Sequence, residues 1–366
     1  MSDKSRIEWT QATWNPVTGC SKVSQGCKHC YAEREWPRMS APRPQPNVYT
    51  GRAFTDVQCH PERLLQPWCW VKPRLIFVNS MSDLFHESVP FEFIAHVFWI
   101  MGVTTRHTYQ VLTKRPQRML EFFKWVEDGA LTFPDDRIGK NSPDVKWQPA
   151  TKSRGGYDNC GPGWPYENVW LGVSVEDQAT ADERIPLLLK CPAAVRWISA
   201  EPLLGQVDLS RIGGDRFGYG AQNALSGAPW VYLGPDADGR AMWELGEPRH
   251  NRLDWVVAGG ESGPGARPMH PEWARSLRDQ CSAAGVPFFF KQWGNWAPYC
   301  THAEMLARDY RLPDDDLHYV GITPDGLVGR DITDRAGMHW VRNLGKKAAG
   351  RLLDGIEHNG MPEVRP

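Results

Sequence analysis

The chain is 366 residues long, with 42 Lys and Arg against 43 Asp and Glu and a formal net charge of −1. That balance excludes a protein that coats nucleic acid by bulk positive charge, because such binding needs a surplus of cations to release counterions. No run of about 18 apolar residues, the length of a membrane span, is present, and no apolar stretch follows Met1-Ser2-Asp3-Lys4-Ser5-Arg6, so neither a membrane partner nor export is expected and the expected compartment is the reducing cytoplasm.

The predicted elements alternate. A short strand precedes Cys20. Strands then follow at Leu75–Val78, Thr108–Leu112, Val169–Val173, Val195–Ile198, Leu253–Val257 and Pro287–Phe290, each a short β-branched or aromatic run of the kind buried on both faces of a parallel sheet. Helical spacing falls between them, at Phe91–Met101, Gln117–Val126, Thr180–Leu189 and Pro271–Ala284, the last opened by Pro271 and closed by Gly285. Alternation of this kind predicts an α/β fold, a partial or complete parallel (βα) barrel of six to seven strands spanning residues 1–294. Two Gly-, Pro- and Trp-rich stretches without periodicity, at about residues 128–166 and 213–249, are read as insertions. Residues 295–366 are read as a small C-terminal extension packing on the barrel, with Lys346, Lys347 and Arg351 as a local basic patch or a solvated helix face.

In such barrels chemistry sits at the carboxyl ends of the strands. Every predicted strand after the first ends in polar residues: Asn79, Ser80 and Asp83; Thr113 and Lys114; Ser174 and Glu176; Ser199 and Glu201; Glu261; Lys291 and Gln292. Each alone reads equally as a helix cap or a solvated loop residue, but together they predict one convergent site.

Nine cysteines divide into six scattered ones, read as small hydrophobes, and a trio, Cys20, Cys27 and Cys30, spaced C-x6-C-x2-C. A disulfide framework is not expected in a reducing compartment. Thiolates on one flexible loop suit a single metal centre. Structural zinc takes four protein ligands; the neighbouring candidate, His29, is badly placed beside Cys30, although a distant fourth ligand remains open. Three thiolates fit a [4Fe–4S] cluster, whose fourth iron stays free for a substrate or cofactor.

That trio, at the end of the first strand of an α/β barrel, resembles the radical S-adenosylmethionine superfamily. More closely, the chain is similar to the phage Gp37/Gp68 family, itself distantly similar to radical enzymes of the spore photoproduct lyase type. The landmarks are Trp14-Asn15-Pro16-Val17-Thr18-Gly19-Cys20, Cys27-Lys28-His29-Cys30-Tyr31-Ala32-Glu33, Leu112-Thr113-Lys114-Arg115-Pro116, Ser199-Ala200-Glu201-Pro202-Leu203-Leu204, Gly259-Gly260-Glu261-Ser262-Gly263, Lys291-Gln292-Trp293-Gly294 and the run from Gly345 to Leu353. They cover nearly the whole chain apart from the two insertions. The first spacer is six residues where the superfamily usually has three, and His29 stands where an aromatic residue is usual. The superfamily's Gly-Gly-Glu-Pro-like element follows the second strand, where this chain has Asn79-Ser80-Met81-Ser82-Asp83; Gly259-Gly260-Glu261-Ser262 lies near the sixth strand and is not its equivalent.

The resemblance implies that Cys20, Cys27 and Cys30 hold a [4Fe–4S] cluster and that S-adenosylmethionine is bound at the strand ends. Asn79, Ser80 and Asp83 would supply acceptors for its amino group. Thr113, Lys114, Ser174 and Glu176 would hold its ribose and carboxylate, with Lys114 or Lys291 pairing the carboxylate. Glu201 and Glu261 would face ribose or substrate, and Ser199 belongs to the same rim. It further implies an external electron donor and a DNA or RNA base or nucleoside as substrate, with a small-molecule radical reaction as the alternative. A zinc-stabilised nucleic-acid- or protein-binding module is the non-enzymatic alternative. The 18 tryptophans are either stacking platforms, worth about 1–3 kcal/mol per base, or core and interface packing. Nothing in the sequence specifies an oligomeric state.

Overall fold

A computed structural model describes residues 5, 7–128, 165–214, 220–236, 238, 240–248, 251–301, 304, 318–330 and 335–363. Residues 129 to 164 of the first insertion therefore lie outside the described residues.

Seven strands form one sheet: β1 (Ala12–Trp14), β2 (Leu75–Val78), β3 (Thr108–Thr113), β4 (Val169–Ser174), β5 (Val195–Ala200), β6 (Trp255–Gly259) and β7 (Phe288–Gln292). They are all parallel and lie side by side in chain order. The helices that follow the second, third, fourth and sixth strands pack into one core on one face of the sheet, and the sheet curls into a half-barrel. The helices are α1 (Tyr31–Ser40), α2 (Phe91–Val103), α3 (Pro116–Glu127), α4 (Gln178–Lys190) and α5 (Pro271–Ala284). Local chemistry sets their ends: Asp177 and Thr180 form a reciprocal capping box for α4, and α5 runs from Pro271 to a left-handed Gly285.

Side-chain alternation along each strand decides what fills the two faces. Ile76, Val78, Tyr109, Val111, Leu171, Val173, Ile198 and Val256 join the buried sides of α2, α3, α4 and α5 in the main core. The intervening positions, Phe77, Trp170, Trp197, Trp255, Val257 and Phe289, form a second cluster on the concave face, capped by Trp9. Their rings meet mostly edge-on, Trp9 to Trp197 at 5.2 Å and Trp170 to Trp255 at 5.8 Å between centroids. Gly172 makes room for this layer, since a Cβ there would stand 2.5 Å from the Trp197 ring. Four of the tryptophans thus plug the interior of the half-barrel.

The second insertion is not featureless: Trp230–Pro235 and Ala241–Leu245 pair as an antiparallel hairpin. Its Trp230 and Trp243 both lie against the Arg211 guanidinium. Its sequence lacks periodicity because its strand positions are all at least partly exposed, so burial imposes no clean alternation. After β7 comes a four-stranded antiparallel sheet of β8 (Trp296–Thr301), β9 (Tyr319–Ile322), β10 (Val328–Gly329) and β11 (His339–Asn343), in the order β8-β11-β9-β10. The C-terminal region is tied to the barrel by Trp273 Nε1 donating to Pro324 O at 2.7 Å and Trp293 Nε1 to Leu352 O at 2.9 Å. Lys346 reaches Glu8 at 3.3 Å, so one member of the basic patch pins the N-terminal segment. Among the described residues, no helix is long and apolar enough to cross a membrane.

Candidate functional site

The concave face changes character along the strands. Two residues beyond the aromatic layer, period-two spacing brings Asn79 after Phe77, Ser174 after Gly172, Ser199 after Trp197 and Lys291 after Phe289, with Glu201 one step further along its strand line. The mouth of the half-barrel is therefore polar because the same face that is aromatic below becomes polar where the strands end.

Across this mouth runs the cysteine loop. It leaves β1 through Gly19, whose N–H donates to Met81 O, while the Cys20 N–H donates to Phe54 O at 2.9 Å. A short 3-10 turn, Gln25–Cys27, follows, and Cys30 stands at the N-cap of α1. All three cysteines are free thiols of intermediate exposure. The N-terminus of α1, with its unsatisfied N–H groups, favours negative charge beside Cys30. Burial, with Asp83 adding to it, pushes the Cys20 thiol up to about 12 against the opposing pull of Arg115. Three thiols free of disulfides on one loop, with the neighbouring His29 bonded to Glu261 instead, are a donor set that could hold an iron–sulfur cluster. Among the described residues no three or more His, Cys, Asp or Glu side chains stand together as a group that could hold a metal ion, so the trio is defined by residue type and loop position.

Four ionic clusters support the loop and the rim. At the end of β3, Asp83 accepts from Thr113 Oγ1 at 2.7 Å, Lys114 N at 3.0 Å and Arg115 Nη1 at 3.3 Å. Arg115 also contacts Cys20 and Ser21 on the loop. At the end of β4, Glu176 is 1% exposed and is shared by Lys114, by Arg184 at 3.1 Å and by the loop's Ser24 Oγ at 3.0 Å. A Cβ on Gly26 would land on that carboxylate, so only glycine lets the loop lie this close. At the end of β6, Glu261 accepts from Arg267 at 2.6 Å and from His29 Nδ1 at 3.0 Å. Burial raises its pKa, but the hydrogen bonds from Arg267 and His29 outweigh this and hold the carboxyl at about 2. His29 thus faces Glu261, and Arg267 Nη2 also reaches Gln25 O at 3.0 Å. The fourth cluster joins β5 and β7: Lys291 Nζ sits 2.8 Å from both oxygens of Glu201, with Gln292 Nε2 at 3.2 Å.

The structure brings the residues expected at the strand ends into one rim, but it gives several of them protein partners. Thr113 and Asp83 bind each other, Lys114 and Glu176 bind each other, and Glu176 also accepts from Ser24 of the loop. Ser80 Oγ donates to Asn15 Oδ1 at 3.2 Å, and its carbonyl accepts the Tyr31 hydroxyl. Arg184 takes Ser174 O at 2.7 Å, and Ser199 O accepts Val175 N at 3.0 Å. Asn79 adopts a left-handed φ of 60°; its Oδ1 accepts Val17 N at 3.3 Å, and its buried Nδ2 has no partner. Gln292 Oε1 is likewise buried and unpartnered. These two orphan groups and the Glu201–Lys291 pair are the rim polarity that the loop does not use.

Sequence reasoning missed Arg115, Arg184 and Arg267, each of which neutralises a rim carboxylate. Arg115 closes the Thr113-Lys114-Arg115 run, and its place just before Pro116 at the N-terminus of α3 is the signal the sequence carries. Arg184, in mid-helix, reads as a solvated residue from sequence and is 2% exposed.

The model of a family described as a protein of unknown function, DUF5131, matches residues 4–362. No curated protein and no solved structure matches the chain.

Proposed function

This chain belongs to the DUF5131 family, and we propose that it is a radical S-adenosylmethionine iron–sulfur enzyme acting on a nucleic-acid base or nucleoside. The observation that carries the reading is the seating of a C-x6-C-x2-C loop, fastened by three ionic clusters, over the C-terminal mouth of a singly wound parallel half-barrel. Cys20, Cys27 and Cys30 would hold a [4Fe–4S] cluster. When bound with S-adenosylmethionine and fed an electron by an external donor, it would supply a 5′-deoxyadenosyl radical.

The chain's own residues do the rest. Glu176, with Lys114 and Arg184, holds the loop down at Ser24. Glu261 and Arg267 hold its His29 and Gln25. Asn79 Nδ2 and Gln292 Oε1 offer one donor and one acceptor at the rim, and Glu201 with Lys291 offers a charged pair to a polar ligand. The aromatic layer beneath keeps water from the floor of the site. Tyr31, 44% exposed next to Cys30, offers a ring on which a base can stack. Support for a base rather than another substrate comes from the resemblance described above and from this ring.

The test is anaerobic purification and reconstitution, with iron and sulfide assays and a visible spectrum, then assay of 5′-deoxyadenosine from S-adenosylmethionine under reduction. A brown protein that makes 5′-deoxyadenosine is expected. A colourless protein carrying one zinc would overturn the reading. Cys27→Ala is expected to abolish the colour while the barrel stays folded, whereas a zinc-dependent module would lose local structure.

A further inference from the structure

We propose that Arg115 positions Cys20 and sets the reduction potential of the cluster through an N–H···S bond to that thiolate. This inference rests on the iron–sulfur reading above and adds to it a residue outside the cysteine loop.

The guanidinium has five N–H donors in a fixed fork, and every one has a partner here. Nε donates to Glu87 at 2.9 Å, and one Nη1 hydrogen goes to Asp83 at 3.3 Å. Nη2 donates to Ser21 Oγ at 2.8 Å and Ser21 O at 3.1 Å. The remaining Nη1 hydrogen meets Cys20 Sγ at 3.7 Å, an ordinary separation for a sulfur acceptor. The side chain is 5% exposed. The fork cannot turn away from Cys20 without losing its bonds to Asp83 and to both oxygens of Ser21. Asp83 is in turn fixed by Thr113 Oγ1 and Lys114 N.

The three cysteines are not equivalent in this respect. The contact at Cys27 is the neutral Ser24 hydroxyl at 3.9 Å. Lys22 acts on Cys27 and Cys30 only at a distance, is half exposed, and is paired to Glu33 at 2.8 Å, so water and Glu33 screen its charge. Among the described residues, a buried cation in hydrogen-bond contact therefore stands at Cys20 and not at Cys27 or Cys30. One-electron reduction adds a negative charge to the cluster and its thiolates. A positive N–H donor held on a ligand sulfur in a poorly screened site stabilises the reduced form more than the oxidised form, so Arg115 raises the potential.

Glu87 supplies a control of opposite sign. Its carboxylate is 64% exposed and partly neutralises the guanidinium from the far side, so Glu87→Gln leaves the fold intact and frees more of the positive charge to act on Cys20.

The experiment is a mediated redox titration, followed by electron paramagnetic resonance, of the reconstituted full chain as wild type, Arg115→Gln, Arg115→Lys and Glu87→Gln. Arg115→Gln is expected to lower the reduced-to-oxidised ratio at fixed potential about tenfold, which is ~59 mV for a one-electron couple. Arg115→Lys, which keeps the charge but cannot span the four partners, falls between it and wild type. Glu87→Gln shifts the opposite way by less. Equal potentials in all four proteins at equal iron content would overturn the inference, as would shifts of the same sign for Arg115→Gln and Glu87→Gln. Should Arg115→Gln not fold, the ordering of the other three decides. A wild type that takes up no iron and sulfide removes the underlying reading instead, a distinct outcome.

Discussion

Glu176→Gln exposes how the loop is held. The carboxylate is 1% exposed and is shared by Arg184, Lys114 and Ser24 Oγ. Replacing it with an amide keeps the shape and one oxygen but removes the only negative charge the described contacts of Arg184 supply. Lys114, whose side chain is 19% exposed, can turn to water and loses little. Arg184, at 3%, cannot; its Nη1 keeps Ser174 O at 2.7 Å, and its Nε already lacks a partner. Leaving one member of a buried pair uncompensated costs about 3–5 kcal/mol. Demoting the Ser24 bond from a charged to a neutral acceptor removes roughly 1 kcal/mol more, confined to the loop. Urea unfolding followed by circular dichroism should show the first loss, and hydrogen exchange over residues 20–30 the second. Glu183→Gln, on the exposed side of α4, serves as control and should stay within about 0.5 kcal/mol. If Glu176→Gln matches that control, the carboxylate does not hold Arg184 or the loop as argued.

Gly26→Ala should lift the cysteine loop off Glu176, lowering iron uptake while global stability changes by less than in Glu176→Gln; unchanged loop exchange rates would count against it. Gly172→Ala drives a methyl into the Trp197 ring and should cost about 1–3 kcal/mol through overpacking, read from chemical denaturation. His270, wholly buried, has its pKa lowered to about 4 by burial, against the bond to Gly337 O and with His339 adding to the depression. A group whose folded pKa lies below its unfolded value gives stability that is complete above about pH 6.5 and is lost as pH falls through about 4. Stability should decline across that window in wild type and less so in His270→Gln. Equal pH profiles for the two would refute the assignment.

Much of this fold is legible in the sequence. Short apolar strand runs separated by amphipathic segments specify parallel βα units, and the polar residues closing each run mark the mouth. The tryptophans are where sequence reading leaves two meanings open. Trp170, Trp197 and Trp255 are spaced like any strand residues, and only the curl of the sheet brings them onto one concave face with Trp9. The hairpin of the second insertion is not legible in the sequence because a mostly exposed ribbon carries no hydrophobic alternation.

The strand–helix alternation and the grouping of three thiols on the loop after β1 are written locally: period-two and 3.6-residue patterns and a C-x6-C-x2-C spacing need no distant partner. Which rim charges are neutralised by a partner depends on the fold. Lys114 and Glu176 are 62 positions apart, Arg115 and Cys20 are 95, and His29 and Glu261 are 232. Such pairs form only when parallel strands in chain order bring their ends to one edge, and a buried carboxylate there takes whichever cation the fold delivers, since leaving it unpaired costs more than any local preference.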